Sequence, residues 1–482
     1  MKKTSLPLAS VTLVVLLSLG LSGSMPTHAE ALTAKPNIVF ILADDMRKDD
    51  LKYMPKTRNL LQEKGITFQN AFVSNALCCP SRATIMRGQY SHNTGVWTNH
   101  NSTIGGWQAY KTNGDEKDNV ATRLDDTGYR TAFIGKYLNG YHHTTYVPPG
   151  WDRWFATFDP AGGSFRYYDY DINDNGTIRH YGSRERDYKT DVLSRKTNAF
   201  IAHSASLGKP FFAYVTPIAP HLPSIPAPRD AHTFDGLNAP RLPSFNERDV
   251  SDKPSWIRKL PRLTSDQITK IDNLHENRVE SLQAVDDLVQ GMVGKLKNAG
   301  VMSNTYVFFT SDNGWLHGEH RIPKGKARPY EGDVHMPLVV RGPGVAADSK
   351  TAKLALNTDY LRTFTNLARA KSPPYVDGRS LRPVLKGNAT TWRHAILLEA
   401  AAKHSPAYTA IRTLSTNTTK RKYERKYVEY TGRARELYKL DRDPYELANR
   451  YNAAKPPSGL ASRLQALKRC SAHTCRAAED GQ

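Results

Sequence analysis

The chain has 482 residues, 67 Lys and Arg against 46 Asp and Glu, and a formal net charge of +21. Hydrophobic residues make up 39%, which excludes a disordered chain and supports a packed globular one. The length exceeds what one core usually serves, so a large α/β unit with an appendage, or about two or three units, are the choices. The positive balance suits polyanions such as sulfated glycans, nucleic acid or acidic cell walls, although Lys and Arg are spread along the chain as on an ordinary solvated surface.

Lys2 and Lys3 precede an apolar stretch from Leu6 to Leu21, and Ala29–Ala31 offers an A-x-A-like cleavage site. Residues 1–31 are therefore expected to be a secretory signal peptide. A membrane anchor is the weaker reading, because Ser, Thr and Gly interrupt a run that is short for a span. The expected mature protein is secreted, extracellular or in the cell envelope, without stable membrane insertion.

"PNIVFILADDM" reads as a buried strand with Asp44 and Asp45 at its C-terminal end. "TRNLLQEKG" fits a short helix stopped by Gly65. "TAFIGKYLNG" and "KPFFAYVTPIAPHLP" are strands running into loops. The aromatic, polar and proline-rich region of roughly 150–270 reads as insertions and loops that shape a cleft. Val279, Leu282, Val285, Val289, Met292 and Leu296 have helical spacing, with Gly300 as the stop. "NTYVFFTSDNG" is a buried strand ending in Asp312 and Asn313, and "MPLVVRGPG" is one more strand and a turn. From about residue 395, "KYVEYT" and "ELYKLDRDPYELANR" suggest a small antiparallel sheet, followed by a final helix, "GLASRLQALKR". Strands alternating with helices imply a largely parallel α/β sheet, with sites beyond the carboxyl ends of its strands.

Four cysteines are present. Cys470 and Cys475 bracket the short loop "CSAHTC" and are expected to pair, since export favours disulfides. That leaves the adjacent Cys78 and Cys79 in "LCCPSRATIMRG" without a distant partner. Pro80 suits the first turn of a helix, so a residue just before it sits near a helix N-terminus, where an anion is favoured. Arg82 adds a fixed charge with bidentate geometry. The competing reading is a buried, inert cysteine pair at a strand–helix junction.

The order Cys78-Cys79-Pro80-Ser81-Arg82 resembles the sulfatase signature C-x-P-S-R, continued here by "ATIMRG". "GKYLN", "TSDNG", "VRGPG" and the terminal "C-S-x-x-T-C-R" extend the resemblance over most of the mature chain, nearest to the N-acetylglucosamine-6-sulfatase branch. The resemblance implies an alkaline-phosphatase-like α/β sandwich: a large mixed, mainly parallel sheet between helices, with a small C-terminal α+β subdomain carrying an antiparallel sheet. The implied division is 32–394 for the catalytic domain and 395–482 for the subdomain. In this family the first cysteine of the motif becomes formylglycine through a separate maturation enzyme, which selects Cys78 and leaves Cys79 as the variable position. The hydrated aldehyde supplies a geminal diol. One hydroxyl attacks sulfur, and the other expels sulfate from the covalent intermediate.

The resemblance further implies Ca²⁺ held by Asp44, Asp45, Asp312 and Asn313, all hard oxygen donors. It places Lys136, His221 and Lys326 on the substrate sulfate, with Arg82 beside the nucleophile. Lys324 is the less favoured neighbour of Lys326. One departure stands out: many sulfatases carry "GKWH", whose histidine helps activate the diol, whereas this chain has "GKYLNG" with Leu138 there. His317 and His320 are candidate replacements for that base, while Asn139 could only hydrogen-bond. The expected function is a calcium-dependent sulfatase acting on a 6-O-sulfate of N-acetylglucosamine or a related sulfated glycan, with no nucleic-acid partner. The alternatives are a phosphate or phosphonate ester hydrolase of the same superfamily, and a non-catalytic polyanion-binding protein.

Overall fold

The unbroken apolar runs become the buried strands of one large sheet. The computed structural model describes residues 1, 4 and 34–481, without 102, 160–164 and 416–422. The expected leader at 1–31 lies outside the described residues but for positions 1 and 4. In chain order the strands are β1 (Asn37–Ala43), β2 (Ile66–Phe72), β3 (Arg130–Lys136), β4 (Arg153–Thr157), β5 (Tyr170–Asp174), β6 (Thr177–Tyr181), β7 (Phe211–Thr216), β8 (Thr305–Ser311), β9 (His335–Met336), β10 (Leu338–Arg341) and β11 (Ser349–Leu356). They lie in the order β11-β2-β10-β8-β1-β7-β3-β4-β5-β6, with β9 on β2. The centre, β8-β1-β7-β3-β4, is parallel throughout.

β1 and β8 are buried at every position, as strands covered on both faces must be. Alternate residues of β1 enter different cores, following the two-residue period of a strand. Ile38, Phe40 and Leu42 pack with α1 (Cys78–Arg87) and with Tyr360, Leu361 and Phe364 of a later helix. Val39, Ile41 and Ala43 pack under α2 (Lys189–Ser206) and the long α3 (Ser265–Asn298). The apolar positions read in α3, from Val279 to Leu296, are all buried. Thr264 caps α3 by accepting from the backbone of Gln267, whose side chain accepts in return from Thr264.

A second sheet follows: β12 (Ala395–Ala400), β13 (Tyr408–Ser415), β14 (Tyr423–Tyr430) and β15 (Arg435–Lys439), antiparallel in that order. Its own core includes Ile396, Leu398, Ile411 and Val428, closed by Leu464 and Leu467 of the helix Ser458–Leu467. Cys470 and Cys475 are joined by a disulfide, and Cys475 belongs to one further helix, His473–Asp480. A large mixed sheet between helices with a small C-terminal antiparallel sheet is the architecture anticipated above. Among the described residues no helix is long and apolar enough to cross a membrane.

Two readings need correction. Much of the region 150–270 is regular: β4 to β6 extend the large sheet, and α2 packs beneath it. The signal was weak because β6 is mostly exposed and the apolar stripe of α2 is thin and interrupted by Lys, Thr and Ser. Around "TRNLLQEKG", Pro55–Thr57 opens a helical segment that widens into a π-type turn over Arg58–Gln62.

Candidate functional site

Four neighbouring parallel strands deliver the polar groups to one edge. β1 and β8 run in register from Asn37 opposite Thr305 to Ala43 opposite Ser311, so Asp44 and Asp312 emerge side by side. On the other flank, β7 carries the chain to His221, and β3 ends in Lys136 beside it. Gly135 is required there: its φ is 127°, and a Cβ would meet the Thr216 carbonyl oxygen at 2.1 Å.

Cys78 comes from a different direction, as the first residue of α1, which Gly88 ends in the left-handed conformation. The two cysteines then part. Cys79 sits among the apolar core residues, its backbone N–H donating to Asn99 Oδ1 at 2.9 Å. Cys78 Sγ faces Asp44 Oδ1 at 3.5 Å, Asp45 Oδ1 at 3.9 Å and Lys326 Nζ at 2.8 Å. Burial pushes the Cys78 thiol up to about 12, against the opposing pull of Lys136 and Lys326. As an unmodified thiol it is therefore a poor nucleophile.

The structure brings the other candidates around this atom. Lys136 Nζ meets Asp44 Oδ2 at 2.5 Å, and Lys326 Nζ meets Asp45 Oδ1. Arg82 spans the group, donating from Nε to Asp312 Oδ2 at 2.7 Å and from Nη1 to the Lys136 carbonyl at 2.6 Å. Asn313 Nδ2 donates to Asp45 Oδ1 at 2.6 Å. His221 Nδ1 lies 2.7 Å from the Leu222 carbonyl, which leaves Nε2 toward Asp45 Oδ2, 3.7 Å away. Lys326 is buried and Lys324 exposed, and the Ala327 N–H donates to the Ala76 carbonyl, tying that loop to the segment before Cys78.

The electrostatics of this group follow from packing carboxylates out of water. Burial and the Asp44 charge push Asp312 up to about 6, although Arg82 opposes them. Burial also pushes Asp44 and Asp45 upward, but the adjoining lysines, His221 and arginine outweigh it and hold both low. Burial holds His221 down at about 4 despite the two aspartates. Asp45 stands at φ 69°, a left-handed conformation that costs a non-glycine residue energy and is held by its surroundings. Arg278 of α3 does some of that holding, donating from Nη2 to the Asp45 carbonyl at 2.5 Å.

The donor set suits a hard divalent cation. Asp45 Oδ2 and Asn313 Oδ1 are buried without a hydrogen-bond partner, which is costly unless a further ligand meets them. Ligand atoms from Asp44, Asp45, Cys78 and His221 lie within 4.8 Å of one another. Carboxylate and amide oxygens favour calcium-like ions over soft metals.

Not every candidate reaches this centre. His320 Nδ1 is engaged with Glu247 Oε2 at 2.6 Å and its ring lies tilted against Tyr330, 4.3 Å between ring centres. His317 is fully buried against His275, 5.0 Å between ring centres. Neither is among the groups that meet Cys78. Leu138 belongs to the apolar core, and the backbone carbonyl of Asn139 takes the Trp107 N–H at 2.6 Å while its side-chain Oδ1 is buried without a partner. Conversely, sequence reading missed Phe165, whose ring lies 4.4 Å from Lys136 Nζ and 5.3 Å from the His221 ring. It also missed Lys403, on the exposed loop between β12 and β13, near enough to feel the charges of Cys78, Lys326, Asp45 and Lys136. Its distance in sequence from every other site residue left no signal to find it.

Comparison with known proteins bears on this geometry. The sulfatase family model matches residues 36–370, and the model for the N-sulphoglucosamine sulphohydrolase C-terminal region matches 318–469. Human N-acetylglucosamine-6-sulfatase is 32% identical over 518 aligned positions, covering 98% of this chain and 91% of that protein. The extracellular sulfatase SULF-1 homolog of Drosophila melanogaster is 34% identical over 384, covering 77% of this chain. The chain spans about a third of that relative's length, 34%, and about half, 54%, of its Caenorhabditis elegans counterpart. A solved structure in complex with its substrate D-glucosamine-2-N,6-O-disulfate shares the fold, with a TM-score of 0.76 at 23% identity over 93% of this chain and all of that one.

Proposed function

This chain belongs to the sulfatase family, and from that premise we propose that it is an exported, calcium-dependent sulfatase hydrolysing a 6-O-sulfate of N-acetylglucosamine or a related sulfated glycan. The observation that carries the reading is the position of Cys78: it opens α1 with its side chain among Asp44, Asp45 and Lys326, while Cys79 is turned into the core. We assign 32–394 to the catalytic domain and 395–482 to the subdomain.

In this reading Asp44, Asp45, Asp312 and Asn313 would hold Ca²⁺, which would supply Lewis-acid polarisation of the sulfate and stabilise a nearby oxyanion. Conversion of Cys78 to formylglycine by a maturation enzyme supplies a geminal diol as nucleophile. The chain's own residues do the rest. Lys136 and Lys326, both buried, neutralise the sulfonyl oxygens as negative charge grows on them. Arg82 fixes Asp312 and the Lys136 backbone in one bidentate arm, so the cation site and the anion site share a single brace. His221, with Nδ1 on the Leu222 carbonyl, keeps Nε2 available to hold a proton beside the departing oxygen. With Leu138 in place of the histidine of "GKWH", activation of the diol falls to a different group from the one that family members use.

The test is hydrolysis of p-nitrophenyl sulfate, phosphate and a phosphonate ester, followed by N-acetylglucosamine 6-sulfate with released sulfate measured. Preference for the sulfates is expected, and preference for a phosphorus ester would replace this reading with the hydrolase alternative. Mass spectrometry of active protein should find the Cys78 peptide lighter than its thiol form. Only intact cysteine there would contradict the mechanism.

A further inference from the structure

Beyond the ends of β3 and β4 lies a cavity of about 500 Å³, lined by Phe158, Asp159, Arg166, Tyr170, Lys189 and three histidines from two segments. Its size is that of a small-ligand pocket. It adjoins the site described above, because Arg166 directly follows Phe165, the ring packed on Lys136 and His221.

Lys189 is the unusual member. It is 2% exposed, at the start of α2, and no carboxylate or carbonyl among the described residues meets its Nζ. Its ammonium lies over the Tyr170 ring at 4.2 Å, and the charge that acts on it is that of another cation, Arg166. Lysines this deeply buried are nearly always paired. Burial, with Arg166, drops its amine to about 7. The acidic groups around it are already engaged: Asp169 with Arg166 at 2.7 Å, Asp171 with His180 at 2.9 Å, and Asp159 Oδ2 with the Gly140 N–H at 2.7 Å. One further buried oxygen, Asp159 Oδ1, has no partner.

We propose that this cavity binds an acidic sugar residue next to the one that carries the scissile sulfate, with the Lys189 ammonium pairing its carboxylate or second sulfate, the rings of Phe158 and Tyr170 packing its apolar face, and Asp159 Oδ1 accepting one hydroxyl. The proposal rests on the sulfatase reading for the identity of the chain being bound. An anion restores the missing counter-charge of Lys189, and a neutral sugar does not. Aromatic faces beside a buried carboxylate oxygen suit a ring that is apolar on one side and hydroxylated at its rim.

The experiment compares three disaccharides of N-acetylglucosamine 6-sulfate, joined to a hexuronate, a hexose or a sulfated hexose, with the monosaccharide. Lys189→Met keeps the side-chain length and removes the charge. It is expected to raise KM for one or both acidic disaccharides roughly 10- to 100-fold, the range of a lost charge-assisted bond. Turnover of the monosaccharide and the hexose disaccharide should change less than about twofold, and Tm should hold or rise, since an unpaired buried charge is removed. Loss on one acidic disaccharide alone supports the proposal and names the anion. Equal loss on all four substrates, or none on either acidic one, overturns it. Calorimetric titration of wild-type protein with the hexuronate and the sulfated-hexose disaccharides, each without the 6-sulfate, separates the two readings. If no sulfate ester is turned over, the sulfatase reading fails, yet binding of either by wild type still supports the cavity, and binding of neither, or equal binding by Lys189→Met, refutes it.

Discussion

Lys426 of β14 and Lys326 at the site are both buried lysines beside acidic groups, and their surroundings are finished differently. Lys426 Nζ donates to Pro329 O at 2.7 Å, Glu446 Oε1 at 2.7 Å and Glu331 Oε1 at 2.8 Å, so its three protons have three acceptors. Close by, Glu436 is fully buried and receives the hydroxyls of Tyr330, Tyr430 and Tyr438. Around Lys326, two oxygen atoms have no partner, Asp45 is held at positive φ, and Cys78 is set among carboxylates. At the junction between the sheets, the Lys426 ammonium and the Glu436 carboxylate are thus fully met from within the chain. The strand-end group is built to be completed by something else, and that is what separates a structural charge cluster from a candidate site.

The largest effect should come from breaking the open group at its centre. Cys78→Ala is expected to lower kcat for p-nitrophenyl sulfate by at least about 10³-fold, because the proposed function makes Cys78 the precursor of the nucleophile. Cys79→Ala should retain most activity and instead cost stability, as a small cavity in the apolar core does. The reverse ranking in a sulfate-release assay would reassign the site. Lys426→Met should do the opposite of Cys78→Ala. It leaves Glu446 without its cation while Glu331 keeps Arg412, so unfolding in denaturant should show a loss of about 3 kcal/mol, with kcat/KM little changed in the folded fraction.

How legible was this contrast in the chain itself? The open group was largely readable, because Asp44, Asp312 and Lys136 end unbroken apolar runs, and Cys78 precedes Pro80 and Arg82 at fixed spacing. Such signals are local. The closed group was not readable: Lys426, Glu331 and Glu446 meet only through the docking of β14 against the loop after Lys326. The same holds for Lys189, whose isolation is a statement about what fails to surround it. β4 to β6 were hidden for another reason, since the edge strand β6 is mostly exposed and the interior strands β4 and β5 are short and broken by Arg, Asp and Asn, so they carry little of the apolar pattern that marks β1 and β8.

A smaller effect should follow from supplying what the open group awaits. After chelation, adding Ca²⁺ at about 100 times its dissociation constant should stabilise the protein by about 2.7 kcal/mol, read as a rise in Tm. Asp45→Asn and Asn313→Ala should each shrink that rise, whereas Lys426→Met should leave it intact. A calcium response unchanged in both site variants would remove the cation from these residues.

The smallest effect concerns the other seam between the two sheets, where His92 reaches Glu399 of β12 at 2.9 Å and the Cys470 carbonyl at 2.9 Å. Burial pushes the His92 imidazole down, but the hydrogen bond and charge of Glu399 outweigh it and hold it up at about 9. The sign follows from the raised value. The protonated form is favoured in the folded chain, so its stabilisation is fully present below the ordinary histidine value of about 6.5 and is lost as pH rises through about 9. Its size should be on the order of 1–3 kcal/mol, as for a mostly buried charge-assisted bond. Denaturant unfolding of wild type and His92→Gln at pH 6 and pH 10 reads it directly: the two proteins should differ at the lower pH and converge at the higher one. A gap that stays constant across that window would mean that His92 fills space between the sheets without carrying charge.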